Sequence, residues 1–142
     1  MSYEISQVDI WAGTIEDRSG GAARVLKCLS QAGADLEFVI GRPTPDEPGK
    51  GILYVSPLTS DGQRRAAEAA GLRRSGIHVL RVTGPDRPGL VADTTLALAE
   101  QGVNLGGLTS AVLAGQVVLY LRFNTRHAMQ RGREILERHL YE

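Results

Sequence analysis

Gly84-Pro85-Asp86-Arg87-Pro88-Gly89-Leu90 decides the reading of this chain, because a weaker version of it, Glu16-Asp17-Arg18-Ser19-Gly20-Gly21, lies 69 residues upstream. The offset holds outside the motif. Thr14 meets Thr83, Ala23 meets Ala92, Leu29 meets Leu98, Gly33 meets Gly102 and Leu36 meets Leu105, while polar Asp35 meets polar Asn104. Further on, Leu53-Tyr54 meets Leu119-Tyr120 at an offset of 66, so the first copy carries three extra residues. They fit the Pro/Gly-rich stretch from Pro43 to Lys50, where added length in a surface hairpin loop costs little. Self-similarity at a fixed offset marks a repeated unit. Two copies are expected, residues 5–75 and 76–142.

Each copy reads the same way. A strand opens it, with alternating apolar positions at Val8, Ile10 and Ala12, and an imperfect alternation at Ile77, Val79 and Arg81. A Gly-containing turn leads to a helix. Gly21, Val25, Cys28 and Leu29 share one helical face in the first copy, as do Leu90, Thr94, Ala97 and Leu98 in the second. Gly33 and Gly102 stand just past the helix ends, where a left-handed residue is favourable. Two strands follow, over 35–41 with 51–56, and over 104–113 with 116–123. The second pair is joined by a short turn at Ala114-Gly115. A second helix is expected over 61–70 and over 126–137. Short, polar last strands are expected over 72–75 and 138–141, at a sheet edge if they form. The order βαββαβ is the split βαβ, ferredoxin-like unit, an α+β class with antiparallel sheets. A unit of about 70 residues buries a marginal core alone, which gives a tandem pair a physical advantage.

Composition removes several function classes. Lys plus Arg and Asp plus Glu are 16 each, so the net charge is zero and the footprint of a general nucleic-acid binder is missing. Aromatics are 5%, too few for a single-strand stacking platform. The longest apolar runs, such as Val117–Leu121, are too short to span a bilayer. The N-terminus shows no signal-peptide pattern, and a soluble, cytoplasmic protein is expected. The single cysteine, Cys28, rules out an intrachain disulfide, a CxxC pair and a Cys-rich zinc site. On an apolar helical face it reads as an inert thiol. His78, His127 and His139 have no metal-ligand spacing. No GxSxG, P-loop or GxGxxG occurs, and Pro48-Gly49-Lys50-Gly51 reads as a polar hairpin tip. Neither an enzyme nor a cofactor is indicated.

The strand, Asp-Arg-Pro-Gly-Leu turn, helix and Gly before a hairpin in the second copy resemble the ACT domain family. These are small regulatory domains that bind amino acids and related metabolites. The resemblance is strong from Ile77 to about Phe123. It is weaker in the first copy, which keeps Asp-Arg-x-Gly but lacks the Pro and the Leu. It implies a stand-alone tandem ACT protein with no catalytic or DNA-binding domain. It also implies ligand-binding positions at Asp86, Arg87, Pro88, Gly89, Leu90 and Asn104, with counterparts at Asp17, Arg18, Gly20, Gly21 and Asp35.

The chemistry of those positions is consistent with that implication. Pro88 presets φ at the start of the helix. Gly89 lets a ligand or another backbone come close. The helix start offers unpaired N–H groups and partial positive charge, suited to a carboxylate. Asp86 would face an ammonium group, or cap the loop. Asn104 and Asp35 would point polar groups toward the same spot. The weaker motif of the first copy favours one working and one decayed site. Two functions follow. One is an amino-acid sensor, plausibly a homodimer through its sheet edges. The other is an interaction protein with degenerate sites that pairs with an enzyme or regulator.

Overall fold

The computed structural model describes residues 3–141. The chain divides into two compact units, one formed by Asp9–Gly76 and the other by the chain up to Val8 together with Ile77 onward. The first repeat contains β2 (Trp11–Glu16), α1 (Gly21–Gln31), β3 (Phe38–Pro43), β4 (Lys50–Ser56), α2 (Asp61–Ala69) and β5 (Arg73–Arg74). Its antiparallel sheet runs β3-β4-β2-β5. The second repeat contains β6 (His78–Pro85), α3 (Leu90–Glu100), β7 (Leu105–Leu113), β8 (Gln116–Phe123) and α4 (Arg126–Tyr141). Its sheet is completed by β1 (Glu4–Val8), in the order β1-β6-β8-β7. The architecture is the expected α+β pair of antiparallel four-stranded sheets with βαββαβ-like units.

Three expectations are corrected. Residues 4–8 do not open the first repeat. They pair antiparallel with β6, Glu4 opposite Thr83 through Val8 opposite Val79. The run 8–12 that reads as one strand is therefore two, broken at Asp9-Ile10. The last strand expected over 138–141 does not form, because α4 continues to Tyr141 and β1 takes the fourth place in that sheet. In the first repeat the fourth strand does form, reduced to Arg73–Arg74 opposite Ala12 and Trp11.

Local chemistry explains the elements. Ser60 caps α2 by accepting from the Gln63 N–H at 3.1 Å, while the Gln63 side chain accepts from the Thr59 N–H at 2.7 Å. Helices α1, α2 and α3 end alike. The N–H groups of Ala34, Leu72 and Val103 donate back to Leu29, Ala67 and Leu98, past Gly33, Gly71 and Gly102 at positive φ. Those apolar residues then enter the cores. Leu29, Leu53, Val55, Trp11, Ala67 and Leu72 form one core, and Leu80, Leu98, Leu119, Leu121, Phe123 and Leu136 anchor the other. Cys28 is half-buried rather than enclosed.

Tyr3 is the N-terminal anchor. Its ring lies against Gly84, where an added Cβ would come within 2.4 Å of Cδ1. Its hydroxyl donates to the Pro85 carbonyl at 2.7 Å. The Tyr141 hydroxyl donates to its carbonyl, and the Arg133 guanidinium donates to the Ile5 carbonyl at 2.9 Å. Removing residues 1–8 would leave β6 as an unpaired edge. Hydrogen exchange on that truncation is expected to show lost amide protection along β6 and α4, with protection in β2 and β4 retained.

Candidate functional site

Each repeat closes the path from its opening strand to its first helix with the same backbone scheme. The Asp86 N–H donates to the Gly115 carbonyl at 2.9 Å, and the Leu90 N–H donates to the Arg87 carbonyl at 3.2 Å. The Asp17 N–H donates to the Gly49 carbonyl at 2.9 Å, and the Gly21 N–H donates to the Arg18 carbonyl at 3.1 Å. Gly89 has φ 80 and ψ 2, and Gly20 has φ 85 and ψ −5. These are type II turns, which favour Pro at the second position and need Gly at the third. Pro88 thus sets the turn, not the first helical position expected for it. Gly20 and Gly89 are themselves the N-caps, and no side chain caps either helix. Asp17 and Asp86 are exposed and do not cap.

The space behind the two turns differs. In the second repeat Leu90 is 3% exposed and Tyr3 is 5% exposed, and both belong to the core. Leu90 is therefore packed in the core and not part of the exposed turn surface. The first repeat has Gly21 at the Leu90 position, where a Cβ would meet the Glu16 carbonyl oxygen at 2.0 Å. Ala70, the C-cap of α2, lies in the lining of that space together with Ile15. Ile15 stands where the second repeat has Gly84 and takes back part of the space. What remains is a cleft of about 160 Å³ lined by Thr14, Ile15, Glu16, Gly21, Arg24, Val25, Lys50 and Ala70.

Charge differs too. In the second repeat the Arg87 guanidinium donates to the Asp93 carboxylate at 2.9 Å. This hydrogen bond raises the Arg87 pKa above its ordinary value, with further support from the Asp93 charge and the nearby Tyr3. Asp93 also sets an acid in the first turn of α3, where the helix dipole favours it. The first repeat keeps Arg18 but has Arg24 in place of Asp93, and α1 has no acid in its first turn. The Lys50 ammonium donates to Glu16 at 2.8 Å. That hydrogen bond, then the Lys50 charge, then Arg18 and Arg24, lower the Glu16 pKa below its ordinary value.

The expected Asn104 and Asp35 contributions are not brought to the turns within their own units. Leu105 lies opposite Phe123, and Phe123 lies opposite His78, the first residue of β6. Asp86 follows Pro85, the last residue of β6. At about 3.3 Å per residue, the eight-residue strand separates Asn104 from Asp86 by about 23 Å. The register of Phe38 with Ser56, and of Trp11 with Val55, puts Asp35 at the far end of its sheet from Asp17 in the same way. The turns themselves are exposed. Asp86, Arg87, Pro88 and Gly89 form one accessible segment, and Asp17, Arg18 and Gly20 another. A Cβ added at Gly20 or Gly89 would meet nothing within 4 Å. Arg24, Lys50 and Ala70 line the first repeat's cleft although the motif did not single them out.

The model of the ACT domain family matches residues 77–140. That segment is an ACT domain. The fold of the whole chain is similar to several solved structures. Protein BT0572 from Bacteroides thetaiotaomicron is 17% identical with a TM-score of 0.77, over 97% of this chain and 90% of that one. The regulatory subunit of aspartate kinase from Thermus thermophilus, in its ligand-free form, is 18% identical with a TM-score of 0.59, over 94% and 95%. A structure of aspartokinase alpha and beta subunits is 15% identical with a TM-score of 0.63, over 100% and 99%. No curated protein matches the sequence. These likenesses establish the tandem fold. Among the described residues no helix is long and apolar enough to cross a membrane, and no three His, Cys, Asp or Glu residues gather into a metal site.

Two measurements probe this geometry. Gly20→Ala and Gly89→Ala are each expected to cost about 1–2 kcal/mol in urea unfolding, because only a left-handed backbone is strained. Gly21→Ala is expected to cost more, because its Cβ strikes backbone. The depressed pKa means that Glu16 ionisation stabilises the fold above the ordinary glutamate pKa. The contribution is lost only as pH falls through the lowered value. A carboxyl NMR titration is expected to find Glu16 below a normal glutamate, and Lys50→Ala is expected to move it upward.

Proposed function

We propose that this chain is a non-catalytic regulatory module of the cytoplasm that binds an amino acid or a related small metabolite, and that it works as a homodimer. ACT domains are amino-acid-sensing regulatory domains, and the Thermus neighbour is a regulatory subunit. The observation that carries the reading is the turn. Two repeats with different turn sequences keep the same hydrogen bonds, the same left-handed glycine and an exposed Asp-Arg pair beside a helix start. The proposed contacts are Asp86, Arg87, Pro88 and Gly89 in the second repeat, and Asp17, Arg18, Gly20 and Gly21 in the first. Asn104 and Asp35 would contribute only from a second copy of the chain. A ligand acts as a signal here by binding one arrangement better than another.

The homodimer rests on β7. It is a nine-residue edge strand with no charge and no proline, whereas edge β3 of the first repeat's sheet carries Arg42 and Pro43. Unprotected edges of this kind invite another strand. Antiparallel self-pairing about Ser110 would set Leu108 opposite Val112 of the second copy. These residues are 47% and 53% exposed. Pairing would cover both twice over, as a two-fold interface requires.

A thermal-shift screen of the twenty L-amino acids tests the sensor. A ligand at 100 times its Kd is expected to add about 2.7 kcal/mol of stability. No shift with any amino acid, together with co-purification of a partner enzyme or regulator, would favour the interaction protein instead. Ser110→Lys would place two ammonium groups opposite each other across the dimer. Analytical ultracentrifugation is expected to show a folded monomer for this variant and a dimer for the parent. A parent that sediments as a monomer removes the β7 interface.

A further inference from the structure

We infer that the groove between α2 and the edge strand β5 is a binding site for a phosphoryl group, free or carried by a small organic molecule, with Arg64, Arg73 and Arg74 as its anion-binding residues. It is separate from the turns. Strand β5 pairs with Trp11 and Ala12 at the start of β2, whereas the first turn follows Glu16 at its end. The groove holds about 410 Å³ and is lined by Trp11, Arg64, Glu68, Arg73 and Arg74. That volume falls within the range of about 300–1,000 Å³ usual for small-molecule sites. Three of its five lining residues are arginines, against one acid. The second repeat has no such groove chemistry. At the repeat offset of 69 it sets Leu80 in the place of Trp11, and Gln7 lies opposite Leu80 where Arg74 lies opposite Trp11.

The three guanidinium groups are held in ways that leave donors for a ligand. Arg73 donates through Nη1 to the carbonyls of Leu72 at 2.7 Å and Glu68 at 3.1 Å. Among the described residues it forms no ion pair, and its Nε and Nη2 have no protein partner. Arg74 lies over the Trp11 ring, 5.2 Å from its centroid, and pairs with Asp9. Stacking covers the guanidinium face and leaves its N–H edge for hydrogen bonds. Arg64 pairs with Asp61 at 3.0 Å. The Asp9 and Asp61 side chains are 70% and 85% exposed, and exposed pairs of this kind hold weakly, so an arriving anion shares these arginines at little cost. A phosphoryl group brings three terminal oxygens and up to two charges, enough to engage several guanidinium forks at once, which one carboxylate does not. Charge on an edge strand also discourages unwanted pairing. That role requires neither Arg64 on the helix nor a tryptophan beneath Arg74. Glu68 gives the groove one acceptor, suited to a hydroxyl or amino group on the organic part of the ligand.

The test uses the full chain. Trp11 is its single tryptophan, so one indole N–H resonance and the intrinsic fluorescence both report on the groove. The probes are inorganic phosphate, glycerol phosphate and AMP, with acetate at matched ionic strength. The expected result is a saturable Trp11 response to a phosphate compound and none to acetate. Arg73→Gln and Arg64→Gln are each expected to weaken that affinity roughly ten- to hundredfold. Arg65→Gln, which removes the same charge from α2 outside the groove lining, is expected to leave it unchanged. Tighter binding of an ester than of inorganic phosphate, weakened by Glu68→Gln, assigns the groove to a phosphorylated metabolite, and equal binding assigns it to free phosphate. No Trp11 response to any phosphate compound overturns the site. So does acetate binding as well as phosphate, or an Arg65→Gln loss as large as that of the groove variants.

Discussion

One backbone hydrogen bond governs each repeat: the first N–H of the turn donates to the glycine carbonyl at the tip of the adjoining hairpin. Asp17 bonds Gly49 and Asp86 bonds Gly115, both at 2.9 Å. The bond fixes the chain at the end of the opening strand. The type II turn that follows then has one direction available, and the helix starts where the glycine releases it. The offset of 69 between the turns and of 66 between the hairpin tips survives because this geometry tolerates loop insertion but not displacement of the turn. Side chains in the turn are therefore free to differ, while the exposure of its backbone is conserved between repeats.

Freedom to differ is what separates the two repeats. The second fills the volume behind its turn with Tyr3 and Leu90 and settles its charges between Arg87 and Asp93. Tyr3 arrives there because β1 crosses into that sheet, so the strand borrowed from the N-terminus brings both the fourth place in the sheet and the plug. The first repeat makes do with a two-residue β5. Its cleft is lined instead by Ala70, the C-cap of α2, beside Ile15.

Much of this was legible in the sequence. The repeat, the turn glycines, the positions of α1 and α3 and the β7–β8 hairpin follow from local patterns: an Asp-Arg-x-Gly motif, apolar residues at helical spacing, and Ala114-Gly115 between alternating runs. The assignment of β1 did not. Ile5 and Val8 alternate as a strand in any sheet, and nothing local distinguishes pairing with β6 from continuation into β2. The short polar run 138–141 read as an edge strand or coil, yet a helix already under way continues where no breaker stops it. The site was half legible. Motif strength pointed to the second repeat, since Pro and Leu complete the pattern. Those residues serve the turn and the core. Quieter alignments mark where the repeats differ: Arg24 with Asp93, and Gly21 with Leu90. The placement of Asn104 and Asp35 at the other end of their sheets from the turns was not legible, because sequence proximity to a helix end says nothing about which end of the sheet that helix returns to.

The energetic argument favours the first repeat as the place where chemistry is left unfinished. Emptying a buried position of a large side chain costs about 2–5 kcal/mol when neighbours cannot collapse, a large share of a domain's marginal stability. Ile15 opposite Ala70 recovers some of that loss, but it does nothing for a helix start flanked by Arg18 and Arg24 with no acid in its first turn. Positive charge at that end opposes the helix dipole, by about 0.3–1 kcal/mol for an exposed group. A fold that satisfies the same position internally in one copy has the means to do so in the other. The first repeat instead keeps Arg24 where the second has Asp93, so the two helix starts differ in charge while sharing one backbone turn.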